Sequence, residues 1–154
     1  MKKLLTAFFS VVLGSSVCIA QEYRIVTTIE SIVPAGLGRS RILDHKEAED
    51  YKALTTERMD GRRSEQSDIK REDVRIEHFE ETKLLNFFSL GGINFQNVSS
   101  NDAVVSSKLT EMASEGWELV FVTSGVESDA GERDGNGIFI TRYVFKRPPV
   151  SASK

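Results

Sequence analysis

The chain has 154 residues, with 20 Lys and Arg against 23 Asp and Glu, two His and one Cys. A formal charge of −3 has the wrong sign for a general nucleic-acid binder, which must neutralise phosphates. One cysteine excludes an intrachain disulfide framework and Cys-based zinc or iron–sulfur sites.

The first element is a targeting segment. Lys2 and Lys3 precede a short apolar run over residues 4–13, and Cys18-Ile19-Ala20 puts small residues at −3 and −1 of a cut before Gln21. This pattern predicts a bacterial secretory signal peptide over residues 1–20 and a periplasmic or secreted product. The run is shorter than the roughly 20 apolar residues of a membrane span, so no stable membrane insertion is expected after cleavage. A lipoprotein signal on Cys18 would need Leu at −3, where Ser15 stands, and a small residue at −1, where Val17 stands. Cleavage removes two lysines, the cysteine and no acid, which leaves 18 basic against 23 acidic residues, or −5. The remaining length suits one domain, over residues 21–147, built on a single core.

Residues 22–33 are rich in β-branched side chains, with Tyr23, Ile25, Thr27 and Ile29 on one face and Val26 and Ile32 on the other. They predict a strand, broken by Pro34-Ala35-Gly36-Leu37-Gly38. Residues 44–83 differ in kind, since 22 of these 40 positions are Asp, Glu, Lys or Arg. This is read as a charged, partly helical insertion with a solvated face. Asp44 followed by Glu47 has the form of a capping box, Ala48, Tyr51 and Leu54 make a thin apolar stripe, and Gly61 suits a helix stop. Residues 61–73 have little to bury and predict a loop. Residues 74–78 alternate and fit either an edge strand or helix.

Two apolar runs, residues 83–89 and 93–98, flank Leu90-Gly91-Gly92 and predict a β-hairpin. Residues 99–102 favour a helix N-cap. Val105, Leu109, Met112 and Ala113 then recur on one helical face, and Gly116 ends it. Residues 117–123 are apolar on both faces, which predicts a central strand. Residues 125–137 form a polar loop, residues 138–145 the last strand, and residues 148–154 a disordered tail. The expected fold is α+β, a mainly antiparallel sheet of four or five strands with one amphipathic helix on one face.

The run Glu115-Gly116-Trp117-Glu118-Leu119-Val120 after a helix, a variable loop, and then Ile140-Thr141-Arg142-Tyr143-Val144-Phe145-Lys146-Arg147 carry a resemblance. With the opening strand at residues 22–29, they resemble the small bacterial domain-of-unknown-function family 4177. The likeness covers residues 22–29 and 101–147, and residues 34–100 fall outside its compact form. It implies a small α+β domain and no activity.

Four features are candidate functional sites. Trp117 follows Gly116, and a residue just past a left-handed helix stop packs back on the last turn, here on Met112. This makes Trp117 structural rather than a ligand-stacking residue. Glu132, Asp134 and Asn136 before Gly137 imitate the start of a calcium loop, yet Tyr143 stands where the bidentate Glu belongs. A polar hairpin loop is the preferred reading there. Arg39 and Arg41 beside Gly36 and Gly38 offer a candidate anion contact without a P-loop or dinucleotide fingerprint. His45 and His78 lie among acids but outside any HExxH, and no serine lies in a Gly-x-Ser-x-Gly elbow. No catalytic residue and no cofactor is therefore assigned. The sequence favours an exported, non-enzymatic protein-interaction or binding module, with a small-anion or calcium-binding protein next and a hydrolase last.

Overall fold

A computed structural model describes residues 21–32, 40–126 and 137–149. The expected signal peptide of residues 1–20, Arg39, the acidic loop residues Glu132, Asp134 and Asn136, and the end of the tail lie outside the described residues.

The fold is α+β, one five-stranded antiparallel sheet with a single long helix on one face. The strands are β1 (Glu22–Ser31), β2 (Arg41–Asp44), β5 (Glu80–Lys83), β8 (Glu118–Val126) and β9 (Ile138–Arg147), in the order β5-β2-β1-β9-β8. Between β2 and β5 lie β3 (Arg58–Met59), β4 (Arg63–Ser64) and a one-turn helix α1 (Arg71–Val74). Between β5 and β8 lie β6 (Phe88–Ser89), β7 (Gly92–Ile93) and the main helix α2 (Phe95–Ser114). β1 and β9 pair over their full length, from Glu22 opposite Arg147 to Ser31 opposite Ile138, and form the centre of the sheet.

The pleat sends alternate residues to opposite faces. Val26 and Thr28 on β1, Ile42 and Asp44 on β2, and Tyr143 and Phe145 on β9 therefore share the face that α2 covers. Val26, Ile42, Leu84, Met112, Trp117 and Phe145 form the core, with Val104, Val105, Leu109 and Tyr143 packed against it. An aromatic at the centre of such a core is worth about 3–5 kcal/mol against alanine.

The end of α2 has both hydrogen bonds of a Schellman stop. Gly116, at φ +83°, donates its N–H to the Ala113 carbonyl at 3.1 Å, and Trp117 donates to the Met112 carbonyl at 3.0 Å. The Trp117 ring lies 4.1 Å from the Arg147 guanidinium and 6.0 Å from that of Arg24. Its Nε1 is buried with no hydrogen-bond partner among the described residues.

Several expectations need correction. The capping-box helix from Asp44 does not form: Asp44 ends β2, and residues 51–54 make only a turn. Arg24 and Lys108 occupy the Asp44 carboxylate, and the stripe through Tyr51, which is 70% exposed, has nothing to pack on. Residues 74–78 complete a single helical turn and then run without a ladder partner. The edge strand falls at Glu80–Lys83 instead.

The Gly-Gly hairpin is confined to β6 and β7. The helix starts at Phe95, where the Asn94 side chain caps by accepting from the Asn97 N–H at 3.1 Å, not at residues 99–102. Ala113 is exposed, and Val104 takes its place against the core. Finally, β8 is an edge strand and not a central one. Its nine residues are all exposed, because β9 has β1 on its other side.

Candidate functional site

Two features of the described surface carry chemistry. The first is an ion cluster under α2. The Arg24 Nε and Nη2 donate to the two Asp44 carboxylate oxygens at 2.9 and 2.7 Å, a bidentate fork. Lys108, in the C-terminal half of α2, reaches the same Asp44 Oδ2 at 2.8 Å and Glu111 Oε2 at 2.8 Å. Asp44 is 3% exposed, so its charge is neutralised almost wholly by these two cations. Burial pulls the Lys108 pKa down, but the hydrogen bonds to Asp44 and Glu111 outweigh it, and the net displacement is upward from 10.5.

Beside the cluster, a cleft of about 350 Å³ opens between α2 and the β2–β5 edge. Ile42, Ala103 and Val104 give it an apolar floor, Thr82 and Ser107 supply hydroxyls, and Lys108 and Glu111 stand at its wall. Its volume is that of a small-ligand pocket. Its two charged groups are engaged with each other, so it presents no lone nucleophile or base.

Asn101 performs a different task. Its Oδ1 accepts the Leu85 N–H at 2.8 Å, and its Nδ2 donates to the Leu85 carbonyl at 2.8 Å and to Glu30 Oε1 at 3.1 Å. One buried amide thus replaces a strand neighbour for the segment that follows β5. Asn97 repeats the device by donating to the Asn86 carbonyl at 2.7 Å.

The second feature is the sheet face opposite α2. Register places Ile25, Val144 and Phe121 in one row across β1, β9 and β8, with Ile29 and Ile140 paired further along. Tyr23 lies at one end, and Leu43 faces Thr27 at the β2 side. Tyr23 and Phe121 are 64% and 62% exposed. Charge on this face is peripheral or central only through long side chains: Glu118 beside Lys146 at 3.4 Å, Arg41 beside Glu81, and Arg142 on β9.

The structure places the residues singled out in sequence as follows. Met112, Gly116 and Trp117 come together at the end of α2. Arg41 opens β2 and is ion-paired to Glu81 across the sheet edge. The His45 Nδ1 lies 3.2 Å from the Glu47 carbonyl, and both histidines are exposed. Among the described residues no group of three His, Cys, Asp or Glu is arranged to hold a metal ion.

Sequence reasoning did not find Arg24, Asp44 and Lys108 as a unit. Their only local signal is an arginine and an aspartate set into β-branched and aliphatic runs, where a charge needs a partner. No helix among the described residues is long and apolar enough to cross a membrane. No family model, curated protein or solved structure matches the chain.

Proposed function

We propose that the chain is an exported, non-enzymatic protein-interaction module that presents the sheet face opposite α2 to a partner. The supporting observation is the apolar row Ile25–Val144–Phe121, flanked by Tyr23, Ile29, Ile140 and Leu43. An antiparallel sheet with one covered face ordinarily alternates apolar-in and polar-out. This sheet carries apolar rows on both faces, and on the face opposite α2 the rows Ile25–Val144–Phe121 and Ile29–Ile140 flank the polar row Thr27–Arg142–Thr123. Exposed apolar side chains beside an arginine, here Tyr23, Ile25 and Phe121 next to Arg142, are the composition enriched at protein interfaces. Export rests on the leader pattern of residues 1–20, and the likeness to family 4177 belongs to the same proposal and adds no activity.

Mild cross-linking in the exported fraction, followed by capture, tests this reading. The double variant Tyr23→Thr, Ile25→Thr leaves the α2-facing core untouched and keeps strand-forming residues. It is expected to retain its circular-dichroism spectrum and to lose the partner that the parent captures. Equal capture by both proteins, or turnover by the parent in a broad hydrolase screen, would refute the proposal.

A further inference from the structure

On the face opposite α2, the row Thr27–Arg142–Thr123 lies between the apolar rows Ile25–Val144–Phe121 and Ile29–Ile140. Successive rows on one face are roughly 6.8 Å apart, two residues at about 3.4 Å each. Arg142 is exposed, and its guanidinium makes no ion pair or hydrogen bond with any described residue. The Thr27 and Thr123 hydroxyls on either side of it are likewise without a partner among the described residues. Both acids on the strands of this face are already matched, Glu118 to Lys146 at 3.4 Å and Glu81 to Arg41. Among the described strand residues of this face the other unmatched cation is Lys83, on β5 and three strands away. Covering Arg142 without supplying a counter-charge would bury an unpaired guanidinium, which is costly.

Taking the face opposite α2 as the docking surface, on which this inference rests, we propose that Arg142 is its specificity-determining residue. It seats a carboxylate of an extended partner segment, whose side chains two residues to either side rest on the flanking apolar rows. One guanidinium between two hydroxyls presents a set of donors suited to a single planar acid. In an extended segment, residues i−2, i and i+2 share a face and repeat at the same spacing of roughly 6.8 Å. The segment is therefore acidic at one position, apolar two residues before and after it, and laid along the strands. A second copy of this face does not fit, because it brings arginine to arginine and offers no unmatched acid. A phosphate dianion calls for a cluster of cations, and Lys83 is roughly 14 Å off at about 4.8 Å per strand.

Nuclear magnetic resonance titration of the isotope-labelled chain with three capped peptides gives the test. Their sequence is Lys-Thr-Val-Thr-X-Thr-Ile-Thr-Lys, where X is glutamate, glutamine or phosphoserine. The net negative charge of the chain by itself favours glutamine over glutamate, so a preference for glutamate reports the local arginine. The glutamate peptide is expected to shift the backbone signals of Thr27, Arg142 and Thr123. It is expected to bind at least about threefold more tightly than the glutamine peptide. In Arg142→Gln that preference should vanish and in Arg142→Glu it should reverse, each with an unchanged circular-dichroism spectrum. Equal binding of the two peptides by the parent, a preference that survives Arg142→Gln, or tighter binding of phosphoserine would each overturn the carboxylate assignment. So would the absence of any shift at about 5 mM peptide. The double variant Tyr23→Thr, Ile25→Thr separates this assignment from the reading it rests on. It is expected to weaken both unphosphorylated peptides alike, and binding indifferent to it would remove the docking face itself.

Discussion

Lys108 is bound to its surroundings by two acids, Asp44 beneath it and Glu111 one turn on, each at 2.8 Å. Burial alone would lower its pKa, and the hydrogen bonds and charges of those acids reverse the balance and raise it above 10.5. A raised folded-state pKa means that the protonated form is stabilised by folding. The contribution is therefore complete below the unfolded value of 10.5 and is lost as the pH climbs through the raised value. Thermal denaturation between about pH 9 and about pH 12 should show a steeper alkaline loss of Tm for the parent than for Lys108→Met. Tyr143, also raised and chiefly by burial, titrates in the same region but is common to both proteins, so it cancels in the difference. Parallel pH profiles would show that Lys108 is not coupled to folding. Arg24 keeps Asp44 paired in the variant through its two-bond fork, so the fold itself is expected to survive.

At the scale of elements, α2 and β8 are joined by a turn that only one residue type makes without strain. Gly116 sits at φ +83°, and a Cβ built there meets nothing within 4 Å. Gly116→Ala therefore carries a conformational cost alone, about 1–2 kcal/mol. Gly125→Ala in β8 meets nothing either and has no positive φ, so it should be neutral or slightly stabilising. Urea denaturation of the pair gives the comparison, and equal stabilities would remove the helix-stop argument. This half of the fold was legible because its signals are local: a stripe through Val105, Leu109 and Met112, then a glycine. The first turns of α2 were not legible. Gln96, Asn97, Ser99 and Ser100 carry no stripe, and the segment is held by amide bonds from Asn97 and Asn101 to the backbone of residues 85 and 86. Asp44 was misread for a related reason, since a capping pattern contains no information about an arginine twenty residues upstream. The position of β8 was misread because apolarity on both faces records what a strand can bury, not which neighbours it receives. The ion cluster, spread over residues 24, 44 and 108, escaped for the same reason.

At the scale of the whole molecule, the charged insertion interrupts a hairpin. β2 and β5 are antiparallel neighbours, with Asp44 opposite Glu80, and the Lys46 ammonium reaches Glu80 Oε1 at 2.6 Å. Continuing that register brings residues 46 and 78 level, close enough for a two-residue turn. The intervening segment forms its own small hairpin of β3 and β4, whose bonds are largely internal, such as Gln66 Nε2 to Thr56 Oγ1 at 2.9 Å. It adds no buried residue to the core. Replacing residues 47–77 by Asn-Gly should therefore preserve the five-stranded sheet. Shortening the connection by about four doublings lowers the closure entropy by roughly 2 kcal/mol at about 0.6 kcal/mol per doubling. Loss of surface contacts within the segment offsets part of this, so the shortened chain is expected to equal or exceed the parent in urea stability. A fall of more than about 2 kcal/mol would show that the segment is part of the folded unit and not an ornament on it. The same protein separates architecture from function: with its core and its α2-opposed face intact, it should capture the same partner as the parent does.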